Sequence, residues 1–160
     1  MNRRRFLLSA GALAIMPSSA RAAGRTLKFA DMHTHAGVSR RIDAMRTLMA
    51  ENGLLILARA IATDRPVTHT VKGRITVARE ARSGELAANF KDRLARLHAT
   101  IRHEGLTEIV SGETLDHVLA TREPAAVIAA EGGDFLEGSL QRLESARKSG
   151  LVHLQLVHYR

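Results

Sequence analysis

Residues 126–138 read AVIAAEGGDFLEG, and the fold turns on how this stretch is taken. The apolar run 125–130 follows Pro124, has the length of a strand rather than a helix, and offers no polar face. It therefore reads as a buried strand. The run ends in Glu131, with Gly132 and Gly133 behind it. An isolated buried carboxylate is prohibitively costly, so a glutamate there is paired, protonated or metal-bound, unless it already stands at the exposed start of a loop. A second stretch, FADMHTHAG at 29–37, carries a short apolar run into two histidines in the same manner.

Outward from these stretches the chain alternates strand-like and helix-like pieces. The run 27–32 leads into the histidines. A helix pattern follows, with Ser39 as N-cap, Ile42, Met45, Leu48 and Met49 on one face, and Asn52 and Gly53 as the stop. LLILARAIA at 54–62 is apolar and bounded by polar turns; its periodicity fits a strand or a buried helix, and we read it as a strand. Ser83 opens the strongest helix pattern, in which Leu86, Phe90, Leu94, Leu97 and Ile101 recur at helical spacing until Gly105. A short helix over 114–120 stops ahead of Pro124. Leu140, Leu143 and Ala146 mark another helical face closed by Gly150, and LVHLQLVH at 151–158 alternates like a strand. Strands alternating with helices predict an α/β fold with a parallel sheet and helical crossovers. Such sheets carry their chemistry at the carboxyl ends of the strands, whether open or closed into a barrel. His33, His35 and Glu131 fall at such ends.

Alternate residues of a strand point to one face, so the imidazoles of His33 and His35 start from Cα atoms about 7 Å apart and can converge on one metal ion. Imidazole nitrogen and carboxylate oxygen are ordinary zinc ligands. Asp31, two residues further back, is expected on the same face, where it could accept an imidazole N–H as an outer partner of the metal site. The alternative to the ligand reading is a chance pair of surface histidines in a loop. Several metal-dependent hydrolase groups share the His-x-His spacing, among them amidohydrolases and the polymerase-and-histidinol-phosphatase type, so the spacing alone does not select a substrate.

Composition narrows the class. The chain has 160 residues, 45% apolar and 25% charged, enough for one globular domain, and an aromatic share of only 3% leaves the core to Ala, Leu, Ile and Val. No cysteine is present, which excludes disulfides and thiolate metal sites and leaves any metal to His, Asp and Glu. The net charge of +8 falls to +4 once Arg3, Arg4, Arg5 and Arg21 are set aside. Those four lie in residues 1–22, which read as a twin-arginine-type signal peptide: RRRFLL, an apolar run, Pro17 and the small-residue site Ala20-Arg21-Ala22. The apolar run is shorter than the roughly 20 residues of a membrane span. These features predict export to the periplasm or cell envelope, with no stable membrane span. The remaining basic residues, such as Arg40, Arg41, Arg79, Arg82 and Arg96, are scattered without aromatic interleaving, so no nucleic-acid partner is expected.

The segment 131–160, EGGDFLEGSLQRLESARKSGLVHLQLVHYR, resembles the membrane (renal) dipeptidase family, in which a strand ending Glu-Gly-Gly is followed by a helix with a Leu-x-x-Leu face and a strand ending Leu-Thr-Leu-Thr-His. DMHTHAG is similar to the family's first-strand motif, Asp-x-His-x-Asp. The likeness covers 27–160. It implies a TIM-type barrel, two zinc ions and the hydrolysis of dipeptides. Carried over by position, it implies that His33 and His35 bind the more buried zinc and that Glu131 bridges both ions. It implies also that His158 binds substrate, polarising the scissile carbonyl or stabilising its oxyanion while an activated water attacks.

Two departures stand beside the resemblance. His35 replaces the family's Asp, removing a negative charge. A TIM-type barrel takes about 250 residues, so residues 23–160 are expected to form only an incomplete N-terminal half, about the first four β/α units. The two further histidines expected for a second ion are then missing. The last strand is expected to be an unpaired parallel edge prone to association, with a homo-oligomer or a missing C-terminal half as its partner. Alone, such a chain is expected to have little or no peptidase activity. Two other readings stay open: a different His-x-His metallohydrolase acting on a phosphoester or cyclic amide, and a non-catalytic remnant. His69, in a Thr/Val-rich loop, and His98, His103, His117 and His153 read as solvated or locally hydrogen-bonded; His158 could also simply cap its strand.

Overall fold

The computed structural model of the protein describes residues 28–36 and 44–159. The proposed signal segment 1–22, and Gly37, Ser39 and Ile42, lie outside the described residues. The strands and helices in chain order are β1 (Phe29–Thr34), α1 (Met45–Glu51), β2 (Leu54–Ala62), β3 (Thr68–Val71), β4 (Arg74–Val77), α2 (Glu85–His103), β5 (Thr107–Glu108), α3 (Gly112–Thr121), β6 (Ala125–Glu131), α4 (Leu140–Lys148) and β7 (Leu151–Gln155). Single 3₁₀ turns occupy Arg65–Val67 and Asp134–Leu136.

Five strands form one sheet in the order β1-β2-β6-β5, with β7 also on β6, and each of its pairings is parallel. β5 and β7 share one edge of β6: Thr107 and Glu108 face its start, and Leu151 to Gln155 face its end. The expected α/β fold with a parallel sheet is therefore present. Among the described residues no pairing joins β1 to β5 or β7, so the sheet is open and no barrel closes. β3 and β4 form a separate antiparallel hairpin. This corrects the loop reading of His69, which lies in β3. The hairpin turns on Lys72 and Gly73, both at positive φ. Such turns normally announce themselves by Asn-Gly or Asp-Gly, and a lysine in the first position hides the signal.

The side-chain alternation of β6 divides the core between the two faces of the sheet. Ala126, Ile128 and Ala130 pack with Leu57 and Ile61 against Phe90, Leu94, Leu97 and Ile101 of α2. Ala125 and Val127 pack with Leu55, Ala58 and Ile109 against Val118 of α3. All five apolar positions read for α2 are buried, each contributing about 1.5–3 kcal/mol relative to exposure. Gly84, one residue beyond the expected Ser83, caps α2 at φ 79°, and its N–H donates to the Glu137 carboxylate at 2.8 Å. Two expected core positions are exposed: Leu48 on α1 and Leu140 on α4. Helical spacing marks a stripe, and a residue of that stripe reaches the sheet only where the helix lies against it. At the start of β7 the alternation also fails, for Val152 is exposed and His153 half-buried, whereas Leu154 packs on the core and Gln155 is exposed as expected.

β2 carries a charge through its apolar run. The Arg59 side chain is wholly buried and forms a two-pronged ion pair with Glu104, which caps the end of α2, at 2.6 and 3.3 Å. Its Nε–H also donates to the carbonyl of Ala36, 3.1 Å away, directly after His35. One guanidinium thus ties the end of β1 to the end of α2. Glu104→Ala, which strands the buried guanidinium, is expected to cost about 3–5 kcal/mol. The urea midpoint should fall accordingly, whereas the paired change Arg59→Met with Glu104→Leu should cost much less.

Candidate metal centre

β1, β2 and β6 run parallel, so their carboxyl ends meet at one edge of the sheet, and Ala62 stands opposite Glu131 there. Irregular register in β1 between Asp31 and Thr34 re-aims its last residues, a common use of a bulge beside a site. The rings of His33 and His35 lie edge to face, centroids 5.3 Å apart.

The glycines after Glu131 let a third histidine approach. A Cβ on Gly132 would lie 2.7 Å from Thr63 Oγ1, 2.9 Å from Asp134 Oδ2 and 3.3 Å from the Cβ of His158, and the residue sits at φ 95°. Only glycine suits that conformation in so little space. The N–H groups of Gly132 and Gly133 then donate to the carbonyls of Gln155 and Leu156 at 2.9 and 2.8 Å, extending the β6–β7 ladder toward His158.

Three imidazoles surround the Glu131 carboxylate. His33 Nε2 is 3.5 Å from Oε1, while His35 Nε2 and His158 Nε2 are 3.1 and 3.3 Å from Oε2. The remaining nitrogens of His35 and His158 are committed. His35 Nδ1 lies 2.8 Å from the Ala60 carbonyl, which only accepts, so this nitrogen carries the hydrogen. His158 Nδ1 lies 2.8 Å from Oδ1 of Asp64, a fully buried carboxylate whose Oδ2 accepts the Tyr159 N–H at 3.2 Å. His158 therefore also holds its hydrogen on Nδ1. In the neutral rings, two Nε2 lone pairs face the lone pairs of Glu131 Oε2, a buried oxygen that receives no hydrogen bond. Lone pair against lone pair is unfavourable, so the arrangement calls for a cation shared between them: protons on the rings, or a metal ion.

The donor set fits a metal. Ligand atoms of His33, His35 and Glu131 all lie within 4.8 Å of one another, and this group could hold a metal ion. With metal–ligand bonds of about 2.0–2.2 Å, tetrahedral ligands stand roughly 3.3–3.6 Å apart. The His33–Glu131 and His35–Glu131 distances, 3.5 and 3.1 Å, lie close to that range. Asp31, expected to accept an imidazole N–H, instead accepts the main-chain N–H of His33 at 3.1 Å.

A cavity of about 280 Å³ opens beside the cluster, reaching His35, Glu131, His158 and Tyr159. A larger groove, about 760 Å³, is lined by His98, Glu108 and Arg147, at the end of β5 and just ahead of β7. It lies beside the first half of β6, where Glu108 and Leu151 stand opposite Ala126 and Ile128, and so away from Glu131. His98 is there engaged by Glu108 and by the Ser149 carbonyl, at 2.8 and 2.9 Å.

Thr63 and Asp64 escape the sequence reading. Both are fully buried just past β2, and the Thr63 hydroxyl donates to the Gly132 carbonyl at 2.9 Å. Their one signal is polar residues directly after an apolar strand. No protein-family model matches the chain, and no curated protein matches it. Asp64→Asn, whose amide can donate to a ring nitrogen, is expected to move the His158 hydrogen from Nδ1 to Nε2 and to cost about 1–3 kcal/mol. The imidazole nitrogen shifts of His158 would report the tautomer and a urea titration the stability.

Proposed function

We propose that His33, His35 and Glu131 hold a zinc ion and that the centre belongs to a hydrolase acting on small peptides. The observation that carries the metal is the unpartnered, buried Oε2 of Glu131 facing two imidazole nitrogens. Three protein ligands with a cavity at their open side are the pattern of a catalytic zinc site; structural sites are closed by four. Zinc held there supplies Lewis acidity toward a carbonyl oxygen and an activated water near neutral pH.

The chain's own residues do the rest. His35 is fixed in orientation by its bond to Ala60 and presents Nε2 as a neutral donor, and Glu131 adds the negative charge that a dication requires. His158 is held at Nδ1 by Asp64 and turns Nε2 toward the same carboxylate. As an imidazolium it would donate Nε2–H to a developing oxyanion, with Asp64 keeping the ring in place. The resemblance of 131–160 to the membrane dipeptidases favours a dipeptide as substrate and an incomplete barrel as the architecture. Residues 1–22, read as an export signal, favour a periplasmic or cell-envelope location. Among the described residues no helix is long and apolar enough to cross a membrane.

Isothermal titration with zinc is expected to give one ion per chain. Glu131→Gln and His35→Ala should each weaken binding by at least about tenfold, or ~1.4 kcal/mol. Lack of stoichiometric binding by the unaltered chain would remove the metal reading. Ala-Ala and p-nitrophenyl phosphate, compared on the zinc-loaded chain, would assign the substrate class even at low rates, and the peptide reading expects hydrolysis of the first.

A further inference from the structure

The cavity beside Glu131 has a second chemical feature. Arg65, from the turn after β2, and Arg93, from α2, both line it. Neither guanidinium has a carboxylate partner among the described residues, and the Nε–H of Arg93 is buried without any hydrogen bond. Several other described arginines do have such partners. Arg59 pairs with Glu104, Arg79 with Glu85, Arg96 with Asp92 and Arg142 with Glu137. The acid of the cavity wall, Glu131, faces the histidines. Burial, and then repulsion from Arg65 and Arg96, pushes the Arg93 guanidinium below its usual range. The two cations are thus near enough to interact across the cavity that both of them line.

The loop that carries Arg65 is braced. The Arg79 guanidinium donates to the Pro66 carbonyl at 3.2 Å and to the Glu85 carboxylate, which it holds down at about 2. The Ala78 N–H donates to the Val67 carbonyl at 2.7 Å. Arg65 therefore starts from a main chain pinned to the hairpin and to α2. A half-buried guanidinium with an unbonded Nε–H, on the wall of a cavity that a second guanidinium also lines, is an arrangement that matches planar oxyanions. A volume of about 280 Å³ lies at the lower limit of small-molecule sites, near 300 Å³. It admits a small ligand or one end of a larger one.

We propose that Arg65 and Arg93 form an oxyanion-binding subsite next to the metal centre, which takes a carboxylate or phosphate group of a small substrate. The assignment names the charge of the substrate for the hydrolase reading and rests on that reading for the reaction, but not for the binding. An anion held between the two guanidiniums would leave the uncharged part of the ligand to extend toward His35, Glu131 and His158.

The test uses the full metal-free chain, titrated with acetate and with inorganic phosphate while the Arg93 Nε–H signal is followed in proton–nitrogen NMR spectra. A saturable shift is expected with at least one of the two ions. Arg65→Gln and Arg93→Gln, the latter read by calorimetry, should weaken binding roughly tenfold, the loss of one charge-assisted hydrogen bond. Arg93→Lys should restore part of it, and Arg147→Gln, in the distant groove, should change nothing. Ala-Ala and its C-terminal amide then separate the two sources. Binding of acetate and of the acid but not of the amide assigns a carboxylate, and saturation by phosphate alone assigns a phosphate-bearing ligand. No saturable shift with either ion, or equal affinity in the glutamine variants, would overturn the subsite. Zinc titration of the same variants is expected to match the unaltered chain. Zinc binding without anion binding sinks the subsite alone, and anion binding without zinc binding sinks the metal centre alone.

Discussion

A carboxylate surrounded by imidazole nitrogens organises this molecule. Glu131 projects from the end of a strand whose other residues are buried, and water reaches little of it. Its negative charge is tolerable only if positive charge is delivered to it. The imidazoles that can carry or share it come from two separate segments, β1 and the turn after β7, and Asp64, just past the end of β2, holds the second of these in place. The parallel sheet makes this possible, because all of its strands finish at one edge. An antiparallel arrangement would have sent half of those residues to the far end.

Around this cluster, buried polar groups serve as braces. Asp64 fixes one nitrogen of His158 and the main chain of Tyr159, and the Thr63 hydroxyl holds the carbonyl of Gly132. Arg59 spans from Glu104 to the carbonyl after His35. A buried ion pair is weak evidence for net stability, since desolvation offsets much of its attraction. Its place here, between the end of β1 and the end of α2, suits the alternative role of holding a segment in register. Arg65 and Arg93, which line the cavity beside Glu131 without a carboxylate partner among the described residues, brace nothing comparable.

Much of the framework could be read in advance, and the failures have physical causes. α2 was legible in full because one face of a long helix packs on the sheet along its whole length, from Leu86 to Ile101. β2 and β6 were legible because a strand covered on both faces must be apolar throughout. The hairpin was not, since its Lys72-Gly73 turn lacks the usual residues. Leu48 and Leu140 misled because periodicity says which residues share a stripe, and not which part of the stripe meets the sheet. Arg59 was passed over as one charge inside an apolar run, for its partner lies 45 residues away.

By itself the sequence determined which donors exist and roughly where they stand: two histidines and a glutamate at strand ends, with no thiol to compete. Local pattern suffices for that, because strand and helix periods depend on neighbours in the chain. Tertiary structure alone decided that these donors meet and that His158 joins them with its tautomer set by Asp64. It also decided that the sheet of the described residues stays open, and that two arginines line one cavity beside Glu131. Those outcomes depend on which strand lies beside which, on how close two backbones come and on what each buried charge finds opposite it. Such distances arise only when segments remote in the chain pack together.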